Sequence, residues 1–368
     1  LAFALPRLSA AKGAILSALL GGGVAYGSWH VFANNQLLFN PIYILLAVLT
    51  TYVAMTLLSF YLTESERSRI RSAFSMYLSP AMVKKVSEDP SLLSLGGVER
   101  NMTVLFLDIR SFSKISEALT PQEITTFLNI FLTPMTNLLQ QGKATIDKYI
   151  GDAIVAFWNA PLDDDDHEHN AAKTVIKMLD SLDELNAKYE DDPNIKWPKD
   201  VKMGIGLNTG ICCVGNLGSD QRFSYSMIGD SVNLAARIEG LTKQYKVSVL
   251  IGNGTAEKVP EMALIEADLI QVVGRQQPER IFILAGDEGM AETKDYKALM
   301  PLHKKFLEAH RAQNWDDAES LIPKLKPLAK PMGFDGYYDV MQERINLYRT
   351  DPPAKDWGGV FVVRSGDF

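Results

Sequence analysis

Cysteine is nearly absent. Two adjacent residues, Cys212 and Cys213, are all that 368 positions hold, which leaves no disulfide framework and no metal-ligand spacing. They read as small apolar fillers on a buried strand, in keeping with a reducing cytosolic compartment. Positive charge is also in short supply: 37 Lys and Arg against 44 Asp and Glu give a net charge of −7. That balance argues against a general nucleic-acid binder, which carries a basic field. Charge of either sign is missing altogether from Gly13 to Thr63, and the chain has no initiator Met. What remains, 47% hydrophobic and 22% charged residues, excludes wholesale disorder and suffices for two or three domains.

The uncharged region divides at Asn34-Asn35-Gln36 into two predicted membrane spans, about 13–33 and 41–63. Each is long enough to cross a bilayer, which takes roughly 20 apolar residues in a helix. The second, with Ile42-Tyr43-Ile44-Leu45-Leu46, is the stronger; the alternative for the pair is a buried hairpin in a soluble protein. Arg7 and Lys12 precede the first span, and Arg67, Arg69, Arg71, Lys84 and Lys85 follow the second, while the connection has no Lys or Arg. The positive-inside rule therefore places both flanks, and everything C-terminal, in the cytoplasm. The opening Leu1-Ala2-Phe3-Ala4-Leu5-Pro6 reads as the end of an earlier apolar segment in a fragment or processed chain.

Residues 64–99 are expected to form an amphipathic coupling helix and linker, with Ile70, Phe74 and Tyr77 on one face until Pro80 interrupts it. Such a stub suits pairing with another copy. The globular part is expected over 100–288. Thr103 to Leu107 predicts a buried strand, and Thr120-Pro121-Gln122-Glu123 a capped helix start running to about Gln141. Residues 144–158 read as a hairpin turning at Gly151, followed by a helix over about 165–188, strands over 201–228, a helix capped by Asp230, and a strand at Val247 to Ile251. Helices alternate with strands but hairpins occur too, which predicts a mixed or antiparallel sheet. The remainder, 289–368, reads as a small helical C-terminal extension with an extended tail.

Two acids fall at strand ends: Asp108 after the run 103–107, and Asp152 in the hairpin turn. Buried acids need partners, and Mg²⁺ accepts a sparse set of carboxylates, water and phosphate oxygens. In the helix after Asp230, Asn233 and Arg237 share one face at i and i+4, a hydrogen-bonding amide beside a phosphate fork. His167-Glu168-His169 beside four aspartates invites a metal reading, but that spacing puts the histidines on different helix faces, and the run reads as a helix start.

Taken together, 103–112, 147–158, Gly204-Ile205-Gly206-Leu207-Asn208-Thr209-Gly210 and 227–239 resemble the catalytic domain of class III nucleotidyl cyclases. The resemblance implies an α+β fold, a ferredoxin-like βαββαβ core sheet that dimerises head to tail with active sites at the interface. It also implies that Asp108, Asp152 and the Ile109 carbonyl hold two Mg²⁺ or Mn²⁺ ions per site. Lys148 matches the position that reads adenine N1, and Ser226 the second purine-reading position. Together they look like an adenylyl cyclase of the Thr/Ser branch. Asn233 matches the ribose-orienting residue and Arg237 the one that stabilises the transition state. Val273 stands where the family usually carries a triphosphate-contacting Lys, with Arg275 as candidate substitute.

The implied protein is a bacterial membrane-bound receptor cyclase. It would be multi-pass in the inner membrane, homodimeric and engaged in signal transduction, turning ATP into 3′,5′-cyclic AMP. The partial match of Asp351-Pro352-Pro353 and Trp357-Gly358-Gly359 to the tails of such proteins adds the expectation of an extracytoplasmic sensor domain upstream. A guanylyl cyclase, disfavoured by Lys148, and a catalytically silent nucleotide-binding regulator, suggested by Val273, are the rivals.

Overall fold

A computed structural model describes residues 10–37, 40–74, 95–272, 277–354 and 357–363. Two compact units divide the chain, Leu1–Lys84 and Lys85–Phe368. In the first, helix α1 (Ala10–Asn35) and helix α2 (Ile42–Phe74) contain apolar windows at Ala11–Asn34 and Ile42–Tyr61, each long and apolar enough to cross a membrane. Neither window is buried: Leu19, Trp29, Leu57 and Phe60 are exposed. α2 continues without a break to Phe74, and the rest of the expected coupling helix, residues 75–86, lies outside the described residues.

The second unit is built on one mixed sheet. Its strands are β1 (Gly96–Ile109), β2 (Thr145–Ile150), β3 (Ala153–Trp158), β4 (Met203–Ser219), β5 (Arg222–Ile228), β6 (Val249–Gly252), β7 (Ala263–Val272), β8 (Glu279–Gly286) and β9 (Val360–Val363). The order is β2-β3-β1-β4-β6-β8-β7-β9, with β5 paired to β4. Between them lie α3 (Phe112–Glu117), α4 (Pro121–Gln141), α5 (His167–Tyr189), α6 (Asp230–Gln244), α7 (Asn253–Ala256), α8 (Glu288–Ala291), α9 (Lys294–Arg311), α10 (Trp315–Ala329) and α11 (Asp335–Thr350).

The uninterrupted apolar run in β1 follows from burial on both faces. Leu105, Leu107 and Ile109 meet Phe127, Phe131 and Met135 of α4 and Val175 and Met178 of α5. Met102 and Val104 face the other way, toward Ala235 of α6. Thr120 caps α4 as expected: its hydroxyl accepts from the Glu123 amide at 3.3 Å, and Glu123 accepts in return from the Thr120 amide at 2.8 Å. At α6 the expectation needs correction. Gly229 takes the cap position at a φ of 155° that side chains avoid, and Asp230 is the first helical residue.

The C-terminal residues do more than add helices. Phe306, Leu325, Tyr337, Tyr338 and Met341 share one core with Leu234 and Ile238 of α6 and Ile265 and Ile270 of β7. β9 pairs in parallel with the end of β7, Leu269↔Val360 through Val272↔Val363. Within this layer His310 is buried among Trp315, Tyr348 and Trp357, its Nε2 without a hydrogen-bond partner among the described residues. Burial pushes its pKa down to about 4. A depressed histidine contributes stability that is complete above the unfolded value near 6.5 and is lost as pH falls toward 4. Between pH 7.5 and pH 5 the parent is therefore expected to lose on the order of 2 kcal/mol more than a His310→Phe variant, read by urea unfolding. Taking the difference between the two proteins cancels every other titrating group. Equal losses would show that His310 titrates in the fold as it does in the unfolded chain.

Candidate active site

The acids meet because of strand register. β1 and β3 are antiparallel with Leu107 opposite Ile154, so two residues further along each strand Asp152 falls across from Ile109, beside Asp108. Gly151, at φ +64°, makes the turn that brings β2 back and leaves Asp152 at its corner. Burial, then the hydrogen bond and charge of Asp108, push the Asp152 carboxyl up to about 7; its own amide and that of Ile109 pull the other way.

A third acid joins them. Glu239, on α6, is raised to about 7 by burial first and by Asp108 next, with Asp152 adding to the rise and Arg110 opposing it. Glycines make this approach possible. A Cβ on Gly206 would lie 2.4 Å from the Glu239 amide, and one on Gly204, which pairs with Asp108, would lie 2.7 Å from Glu239 Oε1. α6 therefore rests directly on β4. Arg110 enters the same cluster, with its guanidinium donating to Thr242 and, at 3.0 Å, to the Val247 carbonyl.

Three carboxyls so close repel one another, and Asp152 Oδ2 is buried with no hydrogen-bond partner among the described residues. An orphaned carboxylate oxygen beside like charge is costly unless a cation shares it. The donor set therefore suits a hard dication such as Mg²⁺ or Mn²⁺.

A second constellation lies where β2 meets β5. Lys148 Nζ stands 3.5 Å from Ser226 Oγ, although 78 residues separate them. Ser226 donates to Asp147 Oδ2 at 3.1 Å, and Lys148 Nζ lies 3.4 Å from the same oxygen. Ser226 and the Asp147 side chain are buried, while half of the Lys148 side chain reaches solvent. Asp147 had no role in the sequence reading, although it stood inside a quoted motif.

Asn233 is exposed and Arg237 half-buried on α6, and neither side chain makes a hydrogen bond or ion pair among the described residues. Within one chain they are not brought to the acids or to Lys148. Arg275, with Val273, lies outside the described residues.

The two histidines do face apart. His167 is buried, its Nδ1 2.7 Å from the Thr103 hydroxyl; His169 lies at the surface near Glu261 and Glu288, with ligand atoms within 4.8 Å of one another. Lys173 at 2.9 Å already balances Glu288, and the group is partly exposed. Asp166, at the N-cap of α5, makes no side-chain capping bond. Cys212 is buried as expected, and Cys213 only partly.

Comparison with known proteins adds the family. Residues 98–286, just over half the chain, match the family described as adenylate and guanylate cyclase catalytic domain. An adenylate cyclase of Anabaena cylindrica is 40% identical over 152 residues, covering 41% of this chain and 29% of the relative. Adenylate cyclase 1 of Rhizobium meliloti is 28% identical over 189 residues, covering 51% and 28%. This chain thus matches less than a third of the length of either relative. The structure of a bacterial light-regulated adenylyl cyclase superposes with a TM-score of 0.53 at 20% identity, covering 62% of this chain and 64% of that one, a likeness of fold. With its mixed sheet, its juxtaposed acids and this match, the chain belongs to the class III adenylate and guanylate cyclase catalytic domain family.

Proposed function

We propose that the protein is a membrane-anchored, homodimeric adenylyl cyclase that converts ATP to 3′,5′-cyclic AMP and pyrophosphate. The observation that carries the reading is the meeting of Lys148 and Ser226 at 3.5 Å, a cationic donor beside a hydroxyl, at two positions that suit the adenine edge. The relatives named adenylate cyclases support the same purine. The two exposed apolar helices would anchor the chain in a bacterial inner membrane, with the catalytic unit in the cytoplasm.

In this reading the ATP 3′-hydroxyl attacks the α-phosphorus in line. The O3′–P bond forms, the bond to the β-phosphate bridging oxygen breaks, pyrophosphate leaves, and the hydroxyl proton passes to solvent. Asp108, Asp152 and the Ile109 carbonyl would hold Mg²⁺ or Mn²⁺, which supplies a lowered hydroxyl pKa and charge to hold the β- and γ-phosphates. Lys148 donates to adenine N1, and Ser226 faces the exocyclic amino group. Asn233 of the partner subunit orients the ribose, and Arg237 of the partner subunit meets the charge that develops on the α-phosphoryl oxygens. Arg275 is left to contact the triphosphate.

The test is incubation of the purified dimer with ATP or GTP and Mg²⁺ or Mn²⁺, with cyclic nucleotide quantified by mass. Cyclic AMP is expected from ATP and none from an Asp108→Ala variant. Cyclic GMP instead would reverse the purine assignment. ATP binding without product in either metal would turn the reading to a nucleotide-binding regulator.

A further inference from the structure

We propose that Asp147 sets the purine choice without touching the purine, by fixing which way the Ser226 hydroxyl points. This deepens the adenylyl cyclase reading and rests on it. A serine hydroxyl is ambivalent, able to donate one hydrogen bond and accept others. Left free, Ser226 could accept from the adenine 6-amino group or donate to the guanine 6-oxo group, and would discriminate neither. Here its hydroxyl donates to Asp147 Oδ2 at 3.1 Å. An ionised carboxylate only accepts, so the Ser226 proton is committed to Asp147; Lys148 Nζ, donating at 3.5 Å, takes one of the hydroxyl's two lone pairs and the other is left for the ligand. Burial raises the pKa of Asp147; the Lys148 ammonium, 3.4 Å from the same carboxylate oxygen, and the Ser226 hydrogen bond oppose that rise and favour the ionised form. The resulting reading head is one acceptor, Ser226 Oγ, beside one donor, Lys148 Nζ. It complements the adenine 6-amino group and N1, and opposes both the 6-oxo group and the N1–H of guanine.

The backbone explains how neighbouring residues can cooperate. In a regular strand Asp147 and Lys148 would point to opposite faces. β2 is irregular at this position: Ile146 pairs with Ala156 and Lys148 with Val155, so Asp147 is an extra residue in a β-bulge. The bulge re-aims the chain and lets both side chains reach Ser226. Asp147 is also a poor choice for stability alone. Its side chain is 3% exposed, and Oδ1 is buried with no hydrogen-bond partner among the described residues. A buried acid with an orphaned oxygen costs the fold free energy, which argues for a retained role.

The test measures binding of α,β-methylene ATP and GTP, which cannot cyclise, to the full chain in detergent with Mn²⁺, by displacement of a fluorescent ATP analogue. The parent is expected to prefer the adenine analogue. Asp147→Asn, whose amide can donate to Ser226 and release its proton, is expected to narrow that preference ~10-fold or more, since a mispaired polar edge carries most of such discrimination. Asp147→Glu should keep the preference. In a Ser226→Ala background Asp147→Asn should change it no further, and Asp147→Asn/Ser226→Asp, with an acceptor-only side chain facing the purine, should restore it. An unchanged preference in Asp147→Asn, or an equal shift in the Ser226→Ala background, overturns the proposal.

If Asp147→Asn shows no melting transition, the parent decides through the inosine analogue, which has the 6-oxo edge without the 2-amino group. It should be rejected as the guanine analogue is, and binding as tight as the adenine analogue overturns the proposal. Preference without turnover would sink the cyclase reading and spare this one, whereas turnover with a preference insensitive to Asp147 would do the reverse. No preference in the parent sinks both.

Discussion

Asp108→Ala and Arg237→Ala homodimers, each nearly inactive alone, are expected to recover about a quarter of parental cyclase activity when mixed one to one and allowed to exchange subunits. Asp108 sits with Asp152 and Glu239 in one cluster, whereas the Asn233 and Arg237 side chains have no hydrogen-bond or ion-pair partner among the described residues of their own chain. An arginine with nothing to hold it in its own chain is accounted for if, as proposed, it serves a site completed by a second copy. On the proposed roles, removing Asp108 should abolish turnover, and removing Arg237 should cost ~10²–10³ in rate. In a twofold dimer with two interface sites, a mixed pair carries both lesions in one site and none in the other. Half of the randomly paired dimers are mixed, and each of those has one intact site of two, hence about a quarter of the activity. Mixing that restores nothing, although both variants fold and exchange, would place the whole site within one chain.

Much of the core was legible because its signals are local or periodic. The buried run Thr103 to Leu107, the cap at Thr120 and the Gly151 turn each announce an element within a few residues, and the hairpin register then carries Asp152 to Asp108. Lys148 and Ser226 were found as motif positions; their contact depends on the pairing of β5 with β4, which no local signal supplies. Asp147 carries no such signal, for a physical reason. Strand alternation turns it away from Lys148, and a bulge leaves almost no mark in sequence. Glu239 was missed because its approach to the acids depends on α6 resting on bare backbone. Gly204 and Gly206 were quoted as a motif, and their missing side chains are the signal that could have pointed there. The C-terminal residues read as helices by their periodicity, but the parallel pairing of β9 with β7 joins positions about 90 apart, beyond the reach of any pattern.

That same C-terminal layer is where the largest loss of stability is expected. Arg344→Met should lower the stability of the catalytic unit by about 3–5 kcal/mol, the usual cost of removing one partner of a buried ion pair. Arg344 is 7% exposed and Asp268 is 3% exposed, and the two form a salt bridge. Tyr245, fully buried at the end of α6, donates to the same Asp268 oxygen at 2.5 Å, and the guanidinium lies 3.9 Å from the ring centre of Phe361 in β9. One side chain thus ties α11, β7, α6 and β9 together. Methionine fills much of its volume but leaves Asp268 charged, buried and short of its cation. A fall of roughly 6–12 °C in melting midpoint would follow from the energy loss. Replacing both partners, Arg344→Met/Asp268→Leu, should recover part of it by removing the stranded charge. Because Tyr245 terminates the helix that carries Asn233, Arg237 and Glu239, cyclase activity in Arg344→Met should fall at temperatures below its melting transition. Loss of stability with full activity retained up to that transition would mean that the C-terminal layer holds the sheet together without setting the position of α6.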